Sequence, residues 1–275
     1  IAAADVLVSF NGKSFDRHVL ADRFVMNRMD PSLVLDRPHL DLIHPARRLF
    51  SGTMASCTLQ AIEERRLSVF RADDLPGSEA PAAWFAWLRT GDPSAVRRVQ
   101  DHNALDLVTL IALLAHLDRC VQAPGAALPE PVALVQAGRM LLERGEEARG
   151  EEVLGLVARN DASDPAAYGA LFLLTEHLRR TQRWEEARPL LARMRAAAGA
   201  NDRMPWVAEA IALEHRLGRP GDALDLLDDL FQRISASSVF VDAAELAALR
   251  HRRARLERKA SGAPPADGDR DLNEE

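Results

Sequence analysis

The stretch LVSFNGKSFD, residues 7–16, decides the fold of the first part of the chain. Residues 5–10 are apolar and β-branched, as in a buried strand, and Asn11-Gly12 is a turn signal. Across residues 14–29 the apolar positions recur at helical spacing. The sequence therefore predicts a strand, a tight turn and a helix in direct succession.

A second strand is predicted over residues 39–44, and helices over residues 56–67 and 94–117. Two strands that are each followed by a helix are typical of an α/β unit with a parallel strand pair. Two strands alone make a small sheet, and a strand-like run begins at once after Ile1. We therefore expect an incomplete α/β domain over residues 1–120 whose first strands are missing from an N-terminally truncated chain.

The composition excludes several classes of protein. The 275 residues are 47% hydrophobic and 28% charged, with 35 Lys+Arg against 41 Asp+Glu, which is the composition of a globular protein with no basic excess for nonspecific nucleic-acid binding. The longest apolar run, residues 107–115, is too short to cross a bilayer. We therefore expect no membrane segment. Two cysteines are too few for a disulfide framework, so we expect a cytoplasmic protein.

The second half of the sequence is helical and carries a faint repeat. Residues 121–130 have the composition of a linker. Beyond them Ala148, Ala187 and Ala223 each precede a Leu-rich run, at spacings of 39 and 36 residues, close to the tetratricopeptide period. We expect all-α tetratricopeptide-like repeats over residues 131–259, so that the whole chain is mostly helical, and a disordered tail over residues 260–275. Trp184 and Leu190 should face inward in these repeats.

His102 and Asp106 are four residues apart in a predicted helix, so their side chains should share one face. Carboxylates bind hard divalent cations and an imidazole can accept a proton from an attacking water, which suits metal-dependent phosphodiester hydrolysis. From the residues alone, the ordinary interpretation is favoured for both: His102 as a surface or hydrogen-bonded helical histidine, and Asp16 as a residue that suits a helix start.

Five segments occur in an order that resembles a known family. They are NGKSFD (11–16), HLDLIHPARR (39–48), CTLQAIE (57–63), DLPGSEAP (74–81) and HNALD (102–106). This pattern resembles the ribonuclease-H-like family of predicted bacterial exonucleases, which belongs to the DEDD superfamily of 3′-to-5′ exonucleases. Some members of the family continue into tetratricopeptide-like repeats, and the resemblance covers about residues 5–117.

The resemblance implies a two-metal exonuclease that uses Mg²⁺ or Mn²⁺ and acts on the 3′ end of DNA or RNA. It implies Asp16 and Asp106 as metal ligands and His102 as the general base. It implies Asn11 and Asn103 as polar residues that line the substrate site. Lys13, in the predicted turn, is a further candidate for substrate binding that either contacts a phosphate or is solvated.

The family's first motif, Asp-x-Glu on the first strand, would supply two more ligands, and this sequence does not contain it. The acidic pairs Glu63-Glu64 and Asp73-Asp74 do not follow a strand and are poor substitutes. We therefore expect the chain by itself to be inactive.

Several residues keep two interpretations at this stage. Asp41 either faces the site or caps a turn, and Arg47-Arg48 either contact a nucleic-acid backbone or are solvated. The aromatic residues Trp84, Phe85 and Trp87 either stack on bases or pack in the core, and core packing is favoured. The alternative to an enzyme is a non-catalytic interaction protein whose helical-repeat groove binds a protein partner.

Overall fold

The computed structural model describes residues 4–71, 77–198, 202–237 and 240–262. The chain divides into two compact units, residues 1–137 and 138–275. We refer to them as the first unit and the second unit. Most of the predicted tail, residues 263–275, lies outside the described residues.

The first unit begins with two parallel strands, β1 (Leu7–Ser9) and β2 (His39–Asp41), in which Ser9 lies opposite Asp41. They are connected through helices α1 (Asp16–Met26) and α2 (Ser32–Leu35). The predicted strand, turn and helix are thereby confirmed. The predicted second strand is too long, because α3 (Ile43–Phe50) begins two residues after β2 and accepts Pro45 in its first turn, where no backbone N–H is needed.

The rest of the first unit is helical. It contains α4 (Leu59–Ile62), a π-helical turn (Glu63–Leu67), a 3₁₀ turn (Gly77–Glu79), α5 (Ala80–Thr90), α6 (Ser94–Gln122) and α7 (Pro124–Ala127). The π turn packs on α6, and α5 packs on α6 as well. Residues 121–130, which composition predicts to be a linker, are mostly helical and include the buried Pro124 and Leu128.

The core of the first unit includes Leu49 and Phe50 on α3, Ile62 on α4 and Leu113 on α6, which are all fully buried. Arg66 lies 4.5 Å from the centre of the Phe50 ring, which adds a cation–π contact to this core. Other faces of the unit expose large apolar side chains on β1, α1, α5 and α6, among them Val8, Phe15, Val25, Met26, Phe85, Leu107, Val108 and Ile111.

The second unit is built from helices in sequence order. Its helices, with α8 crossing the boundary between the units, are α8 (Pro131–Glu143), α9 (Glu147–Ala158), α10 (Pro165–Arg180), α11 (Trp184–Ala197), α12 (Met204–His215), α13 (Pro220–Ala236) and α14 (Ala243–Ala260). From α9 onward each helix packs on the next one along the chain. The mostly helical character is confirmed, and the tetratricopeptide assignment stays a prediction.

Small residues let these helices approach closely, but not all of the predicted ones. Ala187 and Ala223 are buried, whereas Ala148 is exposed. Between α8 and α9 the close contact is made at Gly138 and Gly150, where an added Cβ would lie 2.6 Å from a leucine side chain of the other helix.

The tryptophans of the second unit differ in depth. Trp206 is buried and donates its indole N–H to Asp229 at 2.9 Å. Trp184 is partly buried, in keeping with its predicted inward position, and Leu190 is partly buried too.

Candidate functional site

The turn between β1 and α1 is set by its two central residues. Asn11 has a φ of 64°, in the left-handed region that asparagine tolerates better than most residues. A Cβ at Gly12 would lie 2.6 Å from the side chain of Ser9, so only glycine fits. The carboxylate of Asp16 lies next to this glycine, with Oδ2 3.3 Å from the position of that added Cβ. The turn therefore places Asp16 close to the end of β1.

Asp41, at the end of β2, holds this turn in place. Its carboxylate accepts the backbone N–H of Asn11 at 2.6 Å and that of Lys13 at 3.0 Å. A longer contact, 3.4 Å, joins it to the backbone N–H of Ile43. Asp41 is buried, so these bonds replace the water it would otherwise bind. Of its two predicted interpretations, the capping role is the one that the contacts support.

A second group of polar residues lies on α6. The Nε2 atom of His102 is 3.4 Å from Oδ2 of Asp106, so the two side chains share one face as the spacing predicts. Their side chains are 22% and 34% exposed, which leaves both accessible to solvent. Asn103, the next residue along α6, is exposed.

Arg71 joins this pair to a buried carboxylate. Its guanidinium donates to both oxygens of Glu63, at 2.7 and 2.6 Å. The same group donates to Asp106 Oδ1 at 2.5 Å and to His102 Nδ1 at 3.1 Å. The hydrogen bonds to Glu63, and after them those to Asp106, raise the pKa of Arg71 above its ordinary value, although burial opposes this shift. Arg71 is therefore charged throughout the working pH range.

Glu63 begins the π-helical turn and its side chain is fully buried. The hydroxyl of Thr109, on α6, donates to it at 2.5 Å. The sequence motifs gave no indication of Arg71. They made Glu63 a poor candidate for a metal ligand, because it does not follow a strand. The sequence did contain a signal for a buried ion pair. Glu63 continues the apolar face of Leu59 and Ile62, and a carboxylate on a buried face needs a buried partner.

The predicted site residues thus fall into two sets. Asn11, Lys13 and Asp16 are gathered at the turn that Asp41 holds, and His102 and Asp106 are gathered with Arg71.

The fit of these residues to a divalent cation is incomplete. Carboxylates are the right ligands for Mg²⁺ or Mn²⁺. Asp106, however, is ion-paired with Arg71, and within the described ranges no three or more His, Cys, Asp or Glu side chains form a group that could hold a metal. The described residues alone do not complete a two-metal centre.

The aromatic residues of α5 do not pack in the core, which is the interpretation that their sequence pattern favoured. Trp84 is 48% exposed and Phe85 is 61% exposed. Ala83 is the buried residue of this helix. Trp87 is partly buried and meets Trp84 edge to face, with ring centres 5.0 Å apart. The rings of Trp84 and Phe85 are therefore available to a ligand.

The first part of the chain has a family match. Residues 1–118 are matched by the family model of the RNase_H superfamily. This match supports a ribonuclease-H-like domain. The matched residues include the turn around Asp41 and the α6 pair, so both sets of site residues lie in the matched region.

The chain is also similar to a longer bacterial protein. It is 28% identical over 257 residues to the uncharacterized protein YprB of Bacillus subtilis (strain 168). The match covers 93% of this chain and 60% of that protein, so the chain spans about three fifths of the relative's length. No solved structure matches the chain. Among the described residues, none of the helices combines the length and the apolar character that crossing a membrane requires.

Proposed function

We propose that the protein is a nuclease that removes nucleotides from the 3′ end of DNA or RNA with the help of Mg²⁺ or Mn²⁺. The observation that carries the proposal is the His102–Asp106 pair, which is partly exposed on α6 within the ribonuclease-H-like domain. An imidazole next to a carboxylate is suited to proton transfer from water at neutral pH.

The hydrolysis gives each group a role. A water oxygen attacks the terminal phosphorus, the bond from phosphorus to the 3′ oxygen of the preceding nucleotide breaks, and that oxygen takes up a proton. His102 accepts the proton of the attacking water. Asp16 and Asp106 are the proposed carboxylate ligands for a cation that offsets the negative charge of the phosphate. These two carboxylates do not complete a metal site by themselves, so further ligands would have to join them.

Three other exposed polar residues of the matched region are suited to hold the nucleic acid. Lys13 and Asn11 lie at the exposed turn after β1, and Asn103 is exposed beside His102. We propose that they bind phosphate and sugar oxygens of the terminal nucleotides, because such contacts position a strand without reading its sequence.

The test is a digestion assay with single- and double-stranded DNA and RNA labelled at the 5′ end. It uses a longer protein that joins this chain to the two carboxylates of the family's first motif, because residues 1–275 by themselves are expected to be inactive. A 3′-to-5′ exonuclease gives a ladder of progressively shorter labelled products, dependent on Mg²⁺ or Mn²⁺ and stopped by a chelator. Asp106→Asn should abolish the ladder, because an amide has no negative charge to bind a cation or orient an imidazolium.

The matched control is Asp101→Asn, which removes an exposed carboxylate from the same helix and should leave the ladder unchanged. Release of the labelled 5′ nucleotide as the first product would contradict the proposed direction. Equal cleavage by Asp106→Asn and the unaltered protein would contradict the proposed site.

A further inference from the structure

We propose that Arg71 is a positioning residue for His102: anchored on the buried Glu63, it fixes which ring nitrogen of His102 carries the proton. The proposal rests on the proposed function for the use made of His102, but the ring state can be measured without any cleavage.

The geometry of the guanidinium makes this possible. Its Nε and Nη2 atoms donate to the two oxygens of Glu63, and Nη2 also donates to Asp106. The remaining nitrogen, Nη1, lies 3.1 Å from Nδ1 of His102. A planar fork with several N–H groups can hold all three partners at once, whereas the single ammonium of a lysine cannot keep the same directions.

The direction of these hydrogen bonds determines the imidazole tautomer. A guanidinium can only donate, so Nδ1 of His102 must accept and cannot carry a hydrogen in the neutral ring. The hydrogen is then on Nε2, which lies 3.4 Å from Oδ2 of Asp106. Arg71 and Asp106 therefore hold one tautomer in one orientation before the reaction, and His102 takes up the proton of water at Nδ1 when the contact from Nη1 opens.

The ion pair with Glu63 keeps Arg71 in place when the contacts of Asp106 change. Glu63 is fully buried and also accepts a hydrogen bond from Thr109, so its charge depends on Arg71 for compensation. Arg71 keeps two hydrogen bonds to Glu63 even when it releases Asp106. Asp106 can thus turn to another cation while the contact from Nη1 to His102 is retained.

The experiment compares two conservative substitutions in the same unit. Arg71→Lys keeps the charge but removes the fork. Arg66→Lys is the matched control, because Arg66 is also a buried arginine with a two-oxygen contact to a glutamate, Glu130, at 2.7 and 2.9 Å. Thermal unfolding of each variant shows whether the fold is kept.

The measurement is a ¹⁵N–¹H spectrum of the full chain with labelled histidine, at a pH about two units above the usual imidazole pKa of about 6.5. The His102 signals are assigned from their loss in His102→Gln. We expect the unaltered protein and Arg66→Lys to show the Nε2–H tautomer alone. Arg71→Lys should show a mixture of both tautomers, with the Nδ1–H form rising to a measurable fraction.

A second variant covers the case in which Arg71→Lys does not fold. Glu63→Gln removes one of the two anchor contacts and should also admit the Nδ1–H form. The proposal is overturned if the unaltered protein has the Nδ1–H tautomer, or if a folded Arg71→Lys or Glu63→Gln variant keeps the tautomer of the unaltered protein. A confirmed tautomer shift, together with no cleavage by the longer protein that carries the family's first motif, would support the positioning role and contradict the proposed function.

Discussion

Each unit of the protein contains a fully buried glutamate, but the two glutamates have opposite surroundings. Glu214, on α12, accepts hydrogen bonds from Arg255 at 2.7 Å and Lys259 at 2.8 Å, both on α14. The guanidinium of Arg252 and the imidazole of His215 lie 3.7 and 3.3 Å from it. Glu63 accepts from one guanidinium, that of Arg71, and from the hydroxyl of Thr109, and the same guanidinium also contacts a second carboxylate and a histidine.

The difference shows how one kind of buried ion pair serves two purposes. At Glu214 the partners all converge on one carboxylate, and the contact links α12 to α14 inside the second unit. At Glu63 the arginine reaches outward to His102 and Asp106, which remain partly exposed. We expect changes at the first cluster to alter stability alone and changes at the second to alter chemistry.

The largest expected effect separates the two clusters by activity. In the longer protein that carries the family's first motif, His102→Ala should lower kcat by about 10²- to 10⁴-fold, the usual range for the loss of a positioned base. KM and the thermal unfolding temperature should change little, because the ring is partly exposed. Single-turnover cleavage of a labelled strand checks the rate. A decrease of less than about threefold would show that His102 is not the general base. The cluster around Glu63 would then have no more effect on activity than the cluster around Glu214.

The next effect concerns the free energy of unfolding. Glu214→Ala should destabilise the protein by about 3 kcal/mol, because it leaves Arg255 in a mostly buried place without its carboxylate. Cleavage by the folded variant should equal that of the unaltered protein. Urea unfolding provides the measurement, with Glu257→Ala as the control, since Glu257 is exposed and its pair with Arg253 is worth only about 0.5 kcal/mol. Equal losses in both variants would contradict a supporting role for Glu214.

Acid should weaken the same cluster. Burial raises the pKa of Glu214, but hydrogen bonds from Arg255 and Lys259 outweigh it and bring the pKa below the ordinary value. A depressed pKa in the folded state contributes stability above the unfolded-state pKa of about 4.3, and this contribution is lost as the pH falls through the folded-state value. The stability difference between the unaltered protein and Glu214→Gln should therefore shrink below about pH 4.3. A difference that stays constant down to about pH 3 in urea unfolding would contradict this cause.

The smallest effect tests the exposed rings of the first unit. Trp84→Ala combined with Phe85→Ala should weaken binding of single-stranded DNA by about fivefold, near the lower end of the roughly 1–3 kcal/mol per stacked base. Fluorescence anisotropy with a labelled oligonucleotide measures this affinity. Leu88→Ala, on the same helix and equally exposed, is the control and should bind normally. If Leu88→Ala weakens binding as much, the helix contributes an apolar surface and not a stacking platform.

The sequence predicted the structural features that depend on residues close together in the chain. Asn11-Gly12 indicated the turn because backbone sterics admit few other residues there, and the four-residue spacing placed His102 and Asp106 on one face. The contacts of Arg71 could not be predicted in this way. They join positions 8 to 35 residues apart, and nothing in the local sequence indicates which of many arginines fills that place.

Exposure was the other feature that the sequence did not determine. An aromatic residue at helical spacing fits a core and an open face equally well, so the pattern of Trp84 and Phe85 is the same in either case. The choice depends on which side of α5 packs on α6. In α5 the buried position is taken by the small Ala83, whereas Trp84 and Phe85 are exposed.

The π-helical turn at Glu63–Leu67 makes this part of the protein sensitive to chain length. Such a turn holds one more residue than the regular helix would. Removal of a single residue between positions 64 and 67 would let the segment relax to an α-helix and rotate everything after it by about 100°. Arg71 would then approach Glu63 from a different side. A one-residue deletion there should disturb the contacts of Arg71 far more than any single substitution in the same turn. Homologous chains should therefore keep the length of this segment even where its residues differ.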